Sequence, residues 1–195
     1  MKFWKQTIKP MQKEIVYPPQ TQKEIERAIV FMIQKIQERC YNEKPLILHS
    51  IRVGLRLMEQ KEDKAVVIAG FLHDLVEDTD CKIEEIKKKF GEKVATLVTA
   101  CTFDRKIKDY KKRWRNLISN IKKAGRDALV IKLVDQIDNL PYYMLISDDR
   151  KRHEVMWKHK FFINECRKNF KDLQIFRDYE KTLILQDISR VTLEE

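Results

Sequence analysis

The segment FLHDLVEDTD, residues 71–80, holds the densest set of groups able to do chemistry in this chain. His73, Asp74, Glu77 and Asp78 follow directly on AVVIAGFL, a purely apolar run. On a continuous helix residues four apart lie one above the other, so the spacing predicts His73 over Glu77 and Asp74 over Asp78. His73 and Asp74 would then differ by about 100° around the axis, and both reach an ion lying off the edge between them. Crowding ionisable groups at the end of an apolar helix is costly unless a cation compensates, and a divalent metal supplies that charge. Two ligands do not complete a site. His49, whose helical neighbours Leu46 and Val53 are apolar, and Asp135, set in VIKLVDQIDNL, offer the rest. Each alone has a structural explanation: a hydrogen-bonded core histidine, a carboxylate paired with Lys132 or Arg152, a chance His–Asp pair. Together, on apolar helices, they point to a metal. Two imidazoles and two carboxylates suit manganese, iron, cobalt or zinc, with positions left for water and a phosphoryl oxygen.

The elements that must position these residues read as helices throughout. Residues 1–20 form a lead-in ending at Pro18–Pro19, with room for a short helix before residue 16. Thr21 and Glu24 predict an N-cap with a capping box, followed by Ile25, Ala28, Ile29, Met32 and Ile36 on one face. Pro45 opens a second helix to Met58, and Asp63 caps a third running to Val76, apolar almost all round and so central. Short helices follow over 82–90, closed by Gly91, and 92–101. The basic stretch 102–126 predicts a loop entering an amphipathic helix, and 127–140 a strongly apolar one, with Pro141 expected to kink or break the chain beyond it. Helices near 150–169 and 173–188 complete the set. No segment alternates with period two. The expected architecture is all-α, a single-domain multi-helix bundle over residues 21–190.

Composition bounds the function. With 43% hydrophobic and 36% charged residues, and only four Gly and five Pro among 195, the chain suits a globular domain of long helices. No apolar run approaches the ~18 residues of a membrane span, and the start lacks a signal-peptide core. Cys40, Cys81, Cys101 and Cys166 form no CxxC pair, which argues against a thiolate zinc site and fits the reduced thiols of a cytoplasmic protein. All four sit among helix-like patterns, which disfavours a cysteine nucleophile. The net charge of +10 fits nucleic acid, a phosphate-rich small substrate drawn to a basic cleft, or a solvated surface. Within the basic stretch Tyr110 and Trp114 recur at i,i+4, the mark of a packed helix face, and this counts against nucleic acid.

The order H…HD…D resembles the HD superfamily of phosphohydrolases. More narrowly, HDLVED with KLVDQIDNL is similar to the alarmone hydrolase domain of the RelA/SpoT family, which carries HDxxED and a KLADRxxN-type motif. KIEEIKKKFGEKVATLVTACT between them resembles that family's short helix, phenylalanine–glycine turn and following helix. The likeness runs from about residue 21 to 162. The chain has no room for the synthetase and regulatory modules of the large members, so it resembles the stand-alone small alarmone hydrolases, metazoan type included, whose loop and helix TFDRKIKDYKKRW also matches. The resemblance assigns His49, His73, Asp74 and Asp135 to manganese, and Glu77 and Asp78 to positioning the attacking water and moving its proton. It assigns Asn139 to the substrate near the ribose. The implied reaction is hydrolysis of guanosine 3′,5′-bis(diphosphate), the nucleotide of the stringent response, or its pentaphosphate. Water attacks the phosphorus on the ribose 3′ oxygen, pyrophosphate leaves, and GDP or GTP remains.

Distal phosphates would meet basic residues among Lys106, Lys108, Lys111, Lys112, Arg113 and Arg152. The chain departs from the family pattern before His49, where Cys40 and Tyr41 stand at the positions of an Arg-Lys pair and Arg39 and Lys44 lie close by. Gln136 replaces a basic residue, and Pro141 follows Asn139 unusually soon. These departures bear on substrate rather than on metal. The alternatives are therefore the same chemistry on NADPH or a nucleoside monophosphate, or a catalytically silent regulatory module of the same fold. Oligomeric state has no readable signal.

Overall fold

The computed structural model describes residues 17–41, 44–143 and 145–185. The possible helix before residue 16 and the tail beyond residue 185 lie outside them. Within them the chain is helical, with no strand: α1 (Pro19–Glu38), α2 (Leu46–Glu59), α3 (Lys64–Leu72), α4 (Leu75–Asp78), α5 (Ile83–Phe90), α6 (Glu92–Cys101), α7 (Tyr110–Ala124), α8 (Arg126–Tyr143), α9 (Asp149–Phe170) and α10 (Gln174–Leu185). The all-α expectation holds, and most boundaries fall within a few residues of those the sequence predicts.

Two helices form the centre. Every residue of α3 from Val66 to Leu72 is buried, and so is nearly every residue of α8 from Ala128 to Leu140. Neither has a solvent face, which is why neither alternates polar and apolar positions. Helices α1, α2 and α6 pack on α3, while α2, α7 and α10 pack on α8. Helix α2 touches both, so its His49 lies between the two centres. The α2–α3 approach depends on glycine at two points. A Cβ on Gly54 would overlap the Phe71 ring, and one on Gly70 would overlap Leu57. With hydrogen there instead, the helices close far enough for His49 and His73 to meet.

Four expectations need correction. Helix α1 begins at Pro19, with Pro18 at the cap and no side-chain cap bond. The Thr21–Glu24 capping box is not used because proline, which lacks an N–H, already suits the first helical turn. The third helix does not run on to Val76. His73 Nδ1 lies 2.8 Å from the Gly70 carbonyl, the carbonyl that a continuing helix would offer to the Asp74 N–H. The chain turns there, and α4 starts after it. Asp78 N–H still bonds the Asp74 carbonyl at 2.8 Å, so Asp74 and Asp78 keep the one-turn relation the spacing predicts, whereas Glu77 N–H turns to the Asp74 carbonyl in place of that of His73. Pro141 lies inside α8 rather than breaking it, and the helix ends two residues later at Tyr143. Finally, Cys40 and Cys81 lie in connections rather than helices.

Candidate metal centre

The chain turn after α3 aims His73 and Asp74 at the residues that α2 and α8 present. His49 and His73 place their Nε2 atoms 3.2 Å apart. Asp135 Oδ1 lies 3.2 Å from the first and 3.5 Å from the second. These three residues, all buried, bring one donor atom each within 4.8 Å of the others. Asp74 stands against both rings, with Oδ1 3.0 Å from His73 Nε2 and Oδ2 3.4 Å from His49 Nε2. Ligands adjacent on an ion with bonds of about 2.1 Å stand about 3.0–3.4 Å apart, so these separations fit one ion.

The hydrogen bonds on the far side of each ring strengthen that fit. His73 Nδ1 faces the Gly70 carbonyl, which only accepts, so Nδ1 carries the proton. His49 Nδ1 lies 2.7 Å from Asp138 Oδ2, again an acceptor. Both Nε2 lone pairs therefore point at the carboxylates of Asp74 and Asp135. A buried group of acceptors facing one another needs a cation, and a carboxylate or carbonyl behind each imidazole is the usual support of a ligating histidine. The donor set suits a borderline or hard divalent ion.

In the ion-free chain protons take that role. Burial alone would lower the His49 pKa, but bonds to Asp135, Asp138 and Asp74 outweigh it and raise it to about 10. Burial opposes the His73 imidazolium too, and Asp74's charge with bonds to Asp135 and Asp74 raises it to about 9. Burial would raise Asp74 and Asp135, yet His73 and Lys44 hold the first well below the carboxylate range and Lys132 and the imidazoles hold the second there. An ion must displace protons from raised histidines, so its affinity rises with pH, by about tenfold per unit for each proton lost. Calorimetry with manganese between pH 6 and 8 should show this steepening. A flat affinity would mean that the imidazoles are not ligands.

Around the centre, Lys44 Nζ is 2.9 Å from Asp74 Oδ2 and Lys132 Nζ 2.8 Å from Asp135 Oδ2. The structural explanation for Asp135 as a partner of Lys132 therefore holds alongside its place in the cluster. Asn139 Nδ2 reaches Asp135 Oδ1 at 2.5 Å, and Gln136 Nε2 reaches Oδ2 at 3.0 Å. Glu77 does not stack on His73; its Oε1 accepts the Phe103 N–H at 2.6 Å. Burial pushes its pKa up, with help from the Asp74 and Asp78 charges against Lys132 and that N–H, to about 7. Asp78 is half-buried beside it, and its carbonyl takes the Tyr41 N–H.

The remaining basic residues are less closely drawn in. Arg39 sits over the Tyr41 ring and 3.8 Å from Asp80. Lys106 and Lys112 are exposed on the loop and helix after α6. Arg152, also exposed, bonds the Ile146 carbonyl and lies 3.8 Å from Asp149. Among the described residues no contact links these four to the cluster. Sequence reasoning missed Asp138, which Arg52 grips through Nε and Nη2 at 2.6 and 2.8 Å while Tyr142 bonds the same guanidinium. Its signal was present, one helical turn beyond Asp135 in DQID. It also missed the Phe103 N–H, which carries no side-chain signal.

Comparison with known proteins identifies the family. The family model described as HD domain matches residues 28–159. The guanosine-3′,5′-bis(diphosphate) 3′-pyrophosphohydrolase of Aquifex aeolicus is 35% identical over 145 residues, 73% of this chain and 21% of that protein. The enzyme of the same name, MESH1, from Drosophila melanogaster is 39% identical over 100 residues, 50% of this chain and 55% of that one. The chain thus spans between a fifth and about half of these relatives' lengths. A solved structure described as a metazoan ortholog of SpoT that hydrolyzes ppGpp superposes with a TM-score of 0.72 at 25% identity, over 88% of this chain and 98% of that one.

Proposed function

We propose that this chain, which belongs to the HD domain family, hydrolyses the 3′-pyrophosphate of guanosine tetra- and pentaphosphate, with manganese held by His49, His73, Asp74 and Asp135. One observation carries the reading: two imidazole lone pairs and two carboxylates converge on one point, with an acidic residue held ready a turn away. The named activity of the Aquifex and Drosophila relatives supports the choice of substrate.

When bound, the ion polarises a phosphoryl oxygen and acidifies water. The chain supplies the rest. Glu77 is fixed by the Phe103 N–H, and a pKa raised by burial suits it to take a proton from water near neutrality. Asp78 shares that task. Lys44 and Lys132 keep the ligand carboxylates ionised. Asn139, anchored on Asp135, faces the ribose, and Arg39, Lys106, Lys112 and Arg152 meet the distal phosphates. Four free thiols fit a cytoplasmic setting, and the domain is taken as residues 21–190.

A second reading has its own observation. Where the RelA/SpoT pattern has a basic pair, Tyr41 hydroxyl bonds Asp80 at 2.5 Å and Arg39 leans on the same carboxylate. The absence of that basic pair favours the same reaction on another nucleotide, such as NADPH or a nucleoside monophosphate. Turnover of these substrates beside ppGpp, with added manganese, separates the two. The expected result is pyrophosphate release from ppGpp at least about 100-fold more efficient than phosphate release from the others. The reverse order would overturn the alarmone reading and leave the phosphohydrolase chemistry.

A further inference from the structure

Three lysines feel the charge of the centre's carboxylates, and two of them pair with those acids directly. Lys44 pairs with Asp74 and Lys132 with Asp135. Lys158, on α9 and only 2% exposed, has no hydrogen bond or ion pair among the described residues. Its Nζ lies 3.7 Å from the centroid of the Tyr143 ring and 5.2 Å from that of Trp114. Lys132 Nζ lies 5.7 Å from the same Trp114 ring, so the two amines share one aromatic wall. The charges that act on Lys158 are those of the centre: Asp135 attracts it, while Lys132 and Lys44 repel it. Aromatic faces stabilise an ammonium, but they do not replace its lost hydration. Methionine would fill the same space at less cost.

What this corner lacks is an anion. Lys44, Lys132 and a divalent ion already favour a multiply charged one over a carboxylate. We infer that Lys158 Nζ is a phosphate-binding group, contacting an oxygen of the substrate's pyrophosphate beside the metal centre. The inference rests on the phosphohydrolase reading and deepens it, adding a specificity residue that the sequence did not single out. Burial holds the amine's pKa well below the lysine range, and an arriving phosphate supplies the charge that restores the ammonium.

The test uses inorganic pyrophosphate on the manganese-loaded chain. Lys158→Met should bind it about 10- to 100-fold more weakly by calorimetry, with manganese affinity unchanged and a melting temperature equal to or above that of the unsubstituted chain. Pyrophosphate binding equal to wild type would overturn the inference. Should the variant fail to fold, lysine-15N spectra of the wild-type chain with magnesium decide instead. A buried amine exchanges slowly enough to be seen, and its resonance should move on adding pyrophosphate; no change at saturation would equally overturn it. Both measurements use pyrophosphate rather than alarmone, so they stand apart from the turnover panel. A chain that binds pyrophosphate through Lys158 yet leaves ppGpp intact would sink the substrate reading alone.

Discussion

Asp74→Ala should abolish manganese-dependent hydrolysis, with a fall in kcat of about 1,000-fold or more. Lewis-acid stabilisation of a phosphoryl transition state is worth several kcal/mol, and about 1.36 kcal/mol corresponds to each tenfold in rate. Asp74 has one oxygen 3.0 Å from His73 and the other 3.4 Å from His49, the second also held by Lys44. Removing it takes away one carboxylate from the ion and leaves Lys44 pushing a positive charge toward the same place. Manganese affinity should therefore fall with kcat, and calorimetry should show both losses in one protein. Asp74→Asn keeps the shape of the side chain and should lose nearly as much, because charge is what the ion requires. If Asp74→Ala turned over substrate at the wild-type rate with manganese affinity intact, the proposed centre would be wrong.

Glu77→Gln should lower kcat by about 100- to 10,000-fold, the usual contribution of general acid–base catalysis, and leave manganese affinity within about threefold. The two variants thus separate the ion's contribution from the proton's. Glutamine keeps an oxygen for the Phe103 N–H, which Glu77 accepts at 2.6 Å, so the loop after α6 should stay in place. The pH profile gives a sharper signature. A base works deprotonated, so wild-type activity should fall as pH drops through the Glu77 pKa. That pKa is raised to about 7 in the ion-free chain by burial and by the Asp74 and Asp78 charges, and a bound divalent cation lowers it. The acid limb should accordingly lie below pH 7 and vanish in Glu77→Gln. An unchanged limb would assign the proton to another group, with Asp78 the first to examine.

The helices were legible because apolar periodicity and the Gly and Pro punctuation are local properties. Helix α6 spans Glu92–Cys101, the range expected from Gly91 and Thr102 alone. The break at His73 was not legible, because it depends on the imidazole turning back to the Gly70 carbonyl, a choice made only when His49 and Asp135 draw the other ring nitrogen toward them. Pro141 misled for a related reason. Pro141 removes one hydrogen bond, the one its N–H would have given the Ile137 carbonyl, and only Tyr142 and Tyr143 follow it in the helix.

The sequence by itself determined the chemical inventory. His49, His73, Asp74 and Asp135 were identifiable because a buried ionisable side chain on an apolar helix is costly and so stands out against its neighbours. The tertiary structure decided how that inventory is held. It alone shows that Asp138 and the Gly70 carbonyl set both imidazole tautomers and that Phe103 fixes Glu77. It also shows that, among the described residues, Lys44 stands at the centre while Lys106, Lys112 and Arg152 do not touch it, and that Lys158 lies buried without an acid. Each of these facts joins residues on different helices or turns. Helical spacing constrains neighbours three and four apart, whereas Gly54 and Gly70 set how closely α2 and α3 approach, and that approach decides which distant groups meet.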